Sequence, residues 1–321
     1  MKKYLITGCS GFAAQHFLDY LDGLQEECIV LGIDKNSLSL EQGEYRYVRT
    51  TFQQLDLLDK KRVDDILETF RPDFILHLAS HSSVAYSWEH PSSSFINNLT
   101  AFLNLIERAR ILRLPCRVLS VGSSEEYGNV TEDLLPLREE LPLKPISPYA
   151  VARVSQGMLS QVYAHHYNVD VILTRSFNHI GPRQKERFVI SSFAKKLVDI
   201  KNNIDSLKEI RVGNIEVVRD FVDVRDMVKA YYLLLHKGRK GEVYNICSGK
   251  GYSLKDLLLR MMRILGLDVR IIVDEGLIRP EEIQIAIGSY EKIHRDVGWE
   301  PSIAIEDSLR DIIGYWLRRS S

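Results

Sequence analysis

Lys3-Tyr4-Leu5-Ile6-Thr7-Gly8-Cys9-Ser10-Gly11 stands near the start of the chain, and its reading decides the fold. Tyr4, Leu5 and Ile6 form a short apolar run of the kind found in a buried parallel strand. The run stops at Thr7-Gly8. Beyond Gly11 the period changes, and Phe12, Phe17, Leu18 and Leu21 fall on one helical face. The chain therefore turns from strand to helix over glycines. Such a turn aims bare backbone N–H groups and the positive end of a helix at one point, where a pyrophosphate fits. Gly8 permits the turn, and Gly11, flanked by Ser10 and Phe12, lets a phosphate approach the backbone. At the third position of the usual spacing stands Ala14, small enough to keep helix and sheet close.

A second apolar run, Ile29-Val30-Leu31-Gly32-Ile33, ends on Asp34. That is the separation expected of the acid that binds the adenosine ribose hydroxyls in a dinucleotide site. Asp34 repels a 2′-phosphate and so favours NAD(H), while the adjacent Lys35 tolerates NADP(H). The 321 residues suffice for one large domain and a lobe. A net charge of −1 and a pI near 6.8 predict neither a nucleic-acid partner nor an acidic tail. Cys9, Cys28, Cys116 and Cys247 are widely spaced and read as reduced packing residues of a cytoplasmic protein, with no metal site. No run is long enough to predict a membrane span.

Strands and helices alternate through the first half. A short strand is expected near Tyr45–Val48, and Asp56-Leu57 follows in a loop. Asp59 caps a helix to Phe70, and Phe74–Leu78 is the next buried strand. Ligands gather at strand ends in such sheets. The Ser-rich segment 80–94 after His77-Leu78-Ala79 therefore reads as a working loop. Long helices are expected over 95–113 and 149–167, with strands at Val118–Val121 and Val171–Thr174. The pattern predicts an α/β fold with a doubly wound parallel sheet, spanning 1–175 with a returning segment at about 215–247. Residues 176–214 and 248–321 are looser and mixed, and read as a substrate lobe. It opens with a polar loop, Phe177 to Gln184, and holds helices at 189–201, 254–265 and 305–317.

Tyr149 and Arg153 lie four apart on a helix and share a face. A tyrosine titrates near ~10 in water, and a fixed cation one turn away favours its phenolate. Ser123, at a strand end, reaches the same reacting oxygen in this reading.

Thr7-Gly8-x-x-Gly11-Phe12, Asp56-Leu57, His77-Leu78-Ala79, Ser123-Ser124-x-x-Tyr127-Gly128 and Tyr149 together resemble the extended short-chain dehydrogenase/reductases, which act on nucleotide-diphosphate sugars. The likeness runs on to Gly298-Trp299-x-Pro301 and so covers nearly the whole chain. It implies a Rossmann-type cofactor domain, a bound NAD(H) or NADP(H), a tyrosine acid/base and a homodimer built on helices 95–113 and 149–167. Arg153 departs from the family, which has lysine there. The two are not interchangeable, since arginine is forked and bulkier.

Within the family, Ser82-Ser83-Val84-x-x-Ser87-Trp88, Gly122 to Gly128, Ser176 to Pro182, Val212 to Asp226 and Arg279-Pro280 resemble the GDP-4-keto-6-deoxy-mannose reductases. The resemblance implies reduction of GDP-4-dehydro-6-deoxy-D-mannose to GDP-D-rhamnose. Tyr149 would give the proton, Ser123 would bond the oxygen, and Arg153 would hold the nicotinamide ribose. Leu78, Ala79 and Phe177 would line the cofactor path. Ser82, Ser124, Asn178, Val189, Arg219 and Arg279 would meet the sugar nucleotide, the arginines by bidentate contacts with phosphate oxygens. The rivals are a 4,6-dehydratase with Glu125 as base, a 4-epimerase, and a non-catalytic sugar-nucleotide-binding homologue.

Overall fold

β1 (Lys2–Thr7) lies inside a seven-stranded sheet of the computed structural model, which describes residues 1–37, 45–202, 208–278 and 282–320. The chain continues through α1 (Phe12–Gly23), β2 (Cys28–Asp34), β3 (Val48–Gln54), α2 (Lys60–Phe70) and β4 (Phe74–His77). Next come α3 (Val84–Glu89), α4 (Pro91–Ile111), β5 (Arg117–Ser123), α5 (Pro148–His165) and β6 (Asp170–Ser176). The second half holds β7 (Asn178–Ile180), α6 (Val189–Lys201), β8 (Glu209–Val212), β9 (Val218–Asp223), α7 (Val224–Lys237) and β10 (Val243–Ile246). It ends with β11 (Gly251–Ser253), α8 (Leu254–Leu265), β12 (Arg270–Val273), β13 (Ile285–Ala286), α9 (Glu291–Val297) and α10 (Ile305–Arg319).

The large sheet is parallel throughout, in the order β10-β6-β5-β4-β1-β2-β3. Leu5 of β1 stands opposite Leu31 of β2 on one side and Ile75 of β4 on the other. Both faces are covered, which is why these strands read as unbroken apolar runs. Phe17, Leu18, Tyr231 and Trp299 pack one face, and Leu67, Phe102, Leu105 and Tyr163 the other. The winding reverses between β1 and β4, and the loops leaving them diverge to open a crevice. A separate core, around Phe193, Leu197, Leu257, Leu258, Leu309 and Ile312, joins α6, α8 and α10 beside the small sheets β11-β9-β13 and β12-β8.

Three local expectations need correction. The segment 80–94 is not a loop throughout, because it holds α3 and the first turn of α4, which begins at Pro91. The strand expected near Tyr45–Val48 begins only at Val48 and runs to Gln54. Among the described residues it is an edge strand paired only with β2, so its outer residues Thr51, Gln53 and Gln54 stay polar and its apolar signal is weak. Phe177 to Gln184 is not wholly a loop, because Asn178–Ile180 pairs with Phe221–Asp223 as β7. The second long helix begins at Pro148, where Ser147 caps it by accepting from the Ala150 N–H at 3.1 Å.

α1 is tied to the chain beyond β7 by His16. Its Nε2–H donates to the Pro182 carbonyl at 3.0 Å, and its Nδ1 accepts from Arg183 Nη2 at 2.9 Å. These partners fix the neutral tautomer. Burial and the Arg183 charge push His16 down to about 4, against the opposing pull of Asp19 and Asp223. A histidine titrating lower in the folded than in the unfolded chain, where it sits near ~6.5, adds stability present above that value and lost as pH falls towards 4. The full swing is about 3 kcal/mol. Urea unfolding between pH 7.5 and 4 is expected to show this loss, and the His16→Gln variant, which cannot titrate, a shallower slope.

Candidate active site

A cleft of about 490 Å³ opens at the C-terminal ends of β1, β2, β4 and β5. Gly8, Ser10, Gly11, Phe12, Asp34 and Lys35 line it, as do Asp56, Leu57, Leu78 and Ala79. The glycine turn is held by β2, since the Gly8 and Cys9 N–H groups both donate to the Ile33 carbonyl, at 2.8 and 3.2 Å. Gly8 has φ +73°, and a Cβ there would meet the Ala79 backbone nitrogen at 2.8 Å. A Cβ on Gly11 would stand 3.0 Å from the Gly8 carbonyl oxygen. The cradle is thus bare backbone at the mouth of a helix, and it fits a dinucleotide pyrophosphate. Ala14 is fully buried in the core beneath, so helix and sheet do close over it. Asp34 accepts from the Ser10 N–H and hydroxyl, at 3.1 and 2.5 Å, and from the Asn36 N–H at 2.9 Å. Lys35 Nζ reaches His81 Nε2 at 2.8 Å.

Across the cleft, α5 presents Tyr149 in its first turn, 7 % exposed. Arg153, one turn on, donates from Nε to the Tyr149 hydroxyl at 3.3 Å, and its guanidinium lies 5.3 Å from that ring's centre. Arg153 Nη1 donates to the Val121 carbonyl at 3.0 Å and to Gln156 Oε1 at 2.8 Å. Gln156 is itself anchored, donating to Ser120 Oγ at 2.9 Å. The bulkier cation therefore has a bed of its own, built from β5 and α5. Ser123 ends β5, and its hydroxyl accepts from the Glu125 N–H at 3.2 Å.

Ser82, Ser123, Ser124, Glu125, Tyr149 and Arg153 all line this one cleft, and so do Phe177, Asn178 and Val189. Arg219 does not. It lies on β9 and donates to the Val218 and Gln284 carbonyls, at 3.0 and 3.4 Å. Arg279 lies outside the described residues. His179 stacks on Phe12 with ring centres 5.6 Å apart, and burial lowers its pKa. Reading the sequence missed Tyr231, which reaches the cleft from α7 with its hydroxyl 3.0 Å from Ser176 Oγ. It also missed Glu126, which accepts from the Ser123 N–H at 2.8 Å. Glu126 stands inside the quoted Gly122–Gly128 motif, whereas nothing around Tyr231 marks it.

No group of three or more His, Cys, Asp or Glu side chains among the described residues is placed to hold a metal. All four cysteines are unpaired and buried, and burial pushes Cys9 and Cys116 up to about 12, which makes them poor nucleophiles. No helix among the described residues is long and apolar enough to cross a membrane.

Fold and cleft define an NAD(P)-dependent enzyme of the extended short-chain dehydrogenase/reductase type. The family model described as GDP-mannose 4,6 dehydratase matches residues 5–312, and the chain belongs to that family. It is 32 % identical to the GDP-6-deoxy-D-mannose reductase of Pseudomonas aeruginosa, over 99 % of this chain and 98 % of the relative. It is 28 % identical to the dTDP-glucose 4,6-dehydratase of Haemophilus influenzae, over 100 % of this chain and 99 % of that one. Among solved structures, RMD from Pseudomonas aeruginosa complexed with NADPH superposes with a TM-score of 0.86, at 32 % identity, covering 99 % of this chain and 100 % of the other. UDP-glucose 4-epimerase with UDP-glucose from Thermotoga maritima gives 0.88 at 26 % identity, with the same coverage.

Proposed function

We propose that this enzyme reduces a 4-keto-6-deoxy sugar nucleotide, GDP-4-dehydro-6-deoxy-D-mannose to GDP-D-rhamnose, at the expense of NAD(P)H. The observation that carries the reading is the hydroxyl of Tyr149, held by Arg153 in the cleft that also contains Ser123 and the glycine cradle. The relatedness to a protein named GDP-6-deoxy-D-mannose reductase supports the substrate class. Gly8, Ser10, Gly11 and Asp34 would hold the dinucleotide, which supplies the hydride that reaches C4 of the sugar. Ser123 Oγ donates a hydrogen bond to O4 and fixes the carbonyl. Tyr149 gives its proton to O4 as negative charge develops there, so ketone, hydride and proton make one alcohol. Arg153 stabilises the phenolate left behind. Ser82 and Ser124, from the large sheet's side of the cleft, and Asn178 and Val189, from the lobe's side, would border the sugar nucleotide.

A dehydratase would need a base at C5, and Glu125 lines the cleft, which keeps that reading in view. Cofactor accounting separates the two. Incubation with GDP-4-keto-6-deoxy-mannose and NADPH or NADH is expected to consume reduced cofactor one-for-one and yield an alcohol at C4 by NMR. Ketosugar left unchanged by both cofactors would sink the reductase reading. A homodimer through α4 and α5 is also proposed, because Ile96, Val151, Met158 and Val162 leave apolar side chains exposed on those helices. Light scattering should then give twice the 36.9 kDa of one chain.

A further inference from the structure

Behind the cleft, Glu126 and Arg175 form a buried pair in which neither side chain is more than 9 % exposed. Glu126 Oε1 accepts from the Ser123 N–H at 2.8 Å, and Oε2 accepts from Arg175 Nε at 3.3 Å. Arg175 Nη1 donates onward to the Tyr127 hydroxyl at 3.0 Å and the Glu139 carbonyl at 2.8 Å. Glu126, Arg175, Arg153 and Gln156 share the wall of a second cavity, of about 90 Å³. Gly122 leaves room for this arrangement, because a Cβ there would lie 2.4 Å from both Glu126 Oε1 and the Thr174 carbonyl.

We propose that Glu126 is a positioning residue, whose carboxylate fixes the main chain of Ser123 and offsets the two guanidinium charges of Arg153 and Arg175 behind Tyr149. The inference rests on the reductase reading for the reaction it serves. Guanidinium groups stay charged at any working pH, so the positive charge here cannot be shed. Unopposed, two such charges would draw the proton from a phenol that must keep it until O4 needs it. Glu126 pairs with Arg175 and shares a cavity wall with Arg153. Around it, Arg175 comes from β6 and Arg153 from α5, and Tyr127 lies in the same turn. Facing Arg153 from other elements are His77 on β4, which burial pushes down to about 3 and so keeps neutral, and Tyr231 on α7. Burial holds the Glu126 carboxyl above the usual carboxylate range, and Arg175, the Ser123 N–H and Arg153 offset part of that rise. Both its oxygens accept hydrogen bonds, the role a carboxylate fills in full.

The test compares wild type, Glu126→Gln and Glu126→Asp. Glutamine can still accept from Ser123 but carries no charge; aspartate keeps the charge on a shorter arm. Glu126→Gln is expected to keep its near-ultraviolet circular dichroism, its Kd for NADPH and its KM for the ketosugar. Its kcat is expected to fall about tenfold, the effect of losing one charge-assisted contact. The alkaline limb of its kcat profile should move to lower pH, and Glu126→Asp should return that limb towards the wild-type position. An unchanged kcat and limb in folded Glu126→Gln overturns the proposal, as does a loss confined to KM or matched by lost dichroism. Should wild type recycle its cofactor rather than consume it, the reductase reading fails on that result alone. The Glu126→Gln to wild-type kcat ratio is then measured on the recycling reaction, and a ratio near one overturns the role given to Glu126.

Discussion

Tyr149→Phe is expected to lower kcat for carbonyl reduction about a thousandfold, within the range a positioned general acid supplies, and to leave the Kd for NADPH unchanged. The ring lies almost wholly buried beneath the Arg153 guanidinium, so phenylalanine fills the same space and removes one oxygen. Arg153 is not orphaned by the change. Its shorter bonds, to the Val121 carbonyl and Gln156, remain, and only the 3.3 Å contact to the hydroxyl is lost. The stability lost should therefore stay within about 1 kcal/mol. Stopped-flow observation of NADPH oxidation separates the chemical step from binding. A variant that still transfers hydride within tenfold of wild type would remove Tyr149 as the acid and return attention to Ser123 and water.

The parts of the fold that reading the sequence reached are those where one physical cause acts on neighbouring residues. β1, β2, β4, β5 and β6 are buried on both faces, so each is an apolar run bounded by a turn. Asp59 caps α2 by accepting from the Arg62 N–H at 3.2 Å, a contact set by local spacing. β3 was placed too early and β7 was missed, because one is a polar edge strand and the other is three residues long. The cleft divides the same way. Gly8, Asp34, Ser123 and Tyr149 each close a strand or open a helix, where position alone betrays a role. Glu126 and Arg175 are 49 residues apart and meet only because β5 and β6 are neighbours, so no period or motif joins them. Arg153 was visible as a departure from lysine. Its accommodation was not, because the Val121 carbonyl that receives it belongs to a different element.

Gly8→Ala should abolish detectable cofactor binding at concentrations that saturate wild type, and lower stability by about 2–4 kcal/mol. Two separate causes act at this position. With φ at +73° the backbone is left-handed, which costs an L-residue about 1–2 kcal/mol. The added methyl would also lie 2.8 Å from the Ala79 nitrogen and 2.9 Å from its Cα. Those are backbone atoms at the end of β4, and the Ala79 N–H is itself held by Thr7 Oγ1 at 3.3 Å. No flexible side chain can yield. Either the crevice between β1 and β4 widens or the turn reverses, and in both cases the N–H groups leave the point where a pyrophosphate would sit. Gly23→Ala supplies the control, because a Cβ at the end of α1 meets nothing within 4 Å. That variant should bind cofactor as wild type does and be equally or slightly more stable, by up to about 1 kcal/mol. Fluorescence titration with NADPH and urea unfolding of both variants decide the matter. Wild-type binding by Gly8→Ala would mean that the coenzyme does not rest on this turn, and the placement of the whole cleft chemistry would have to be redrawn.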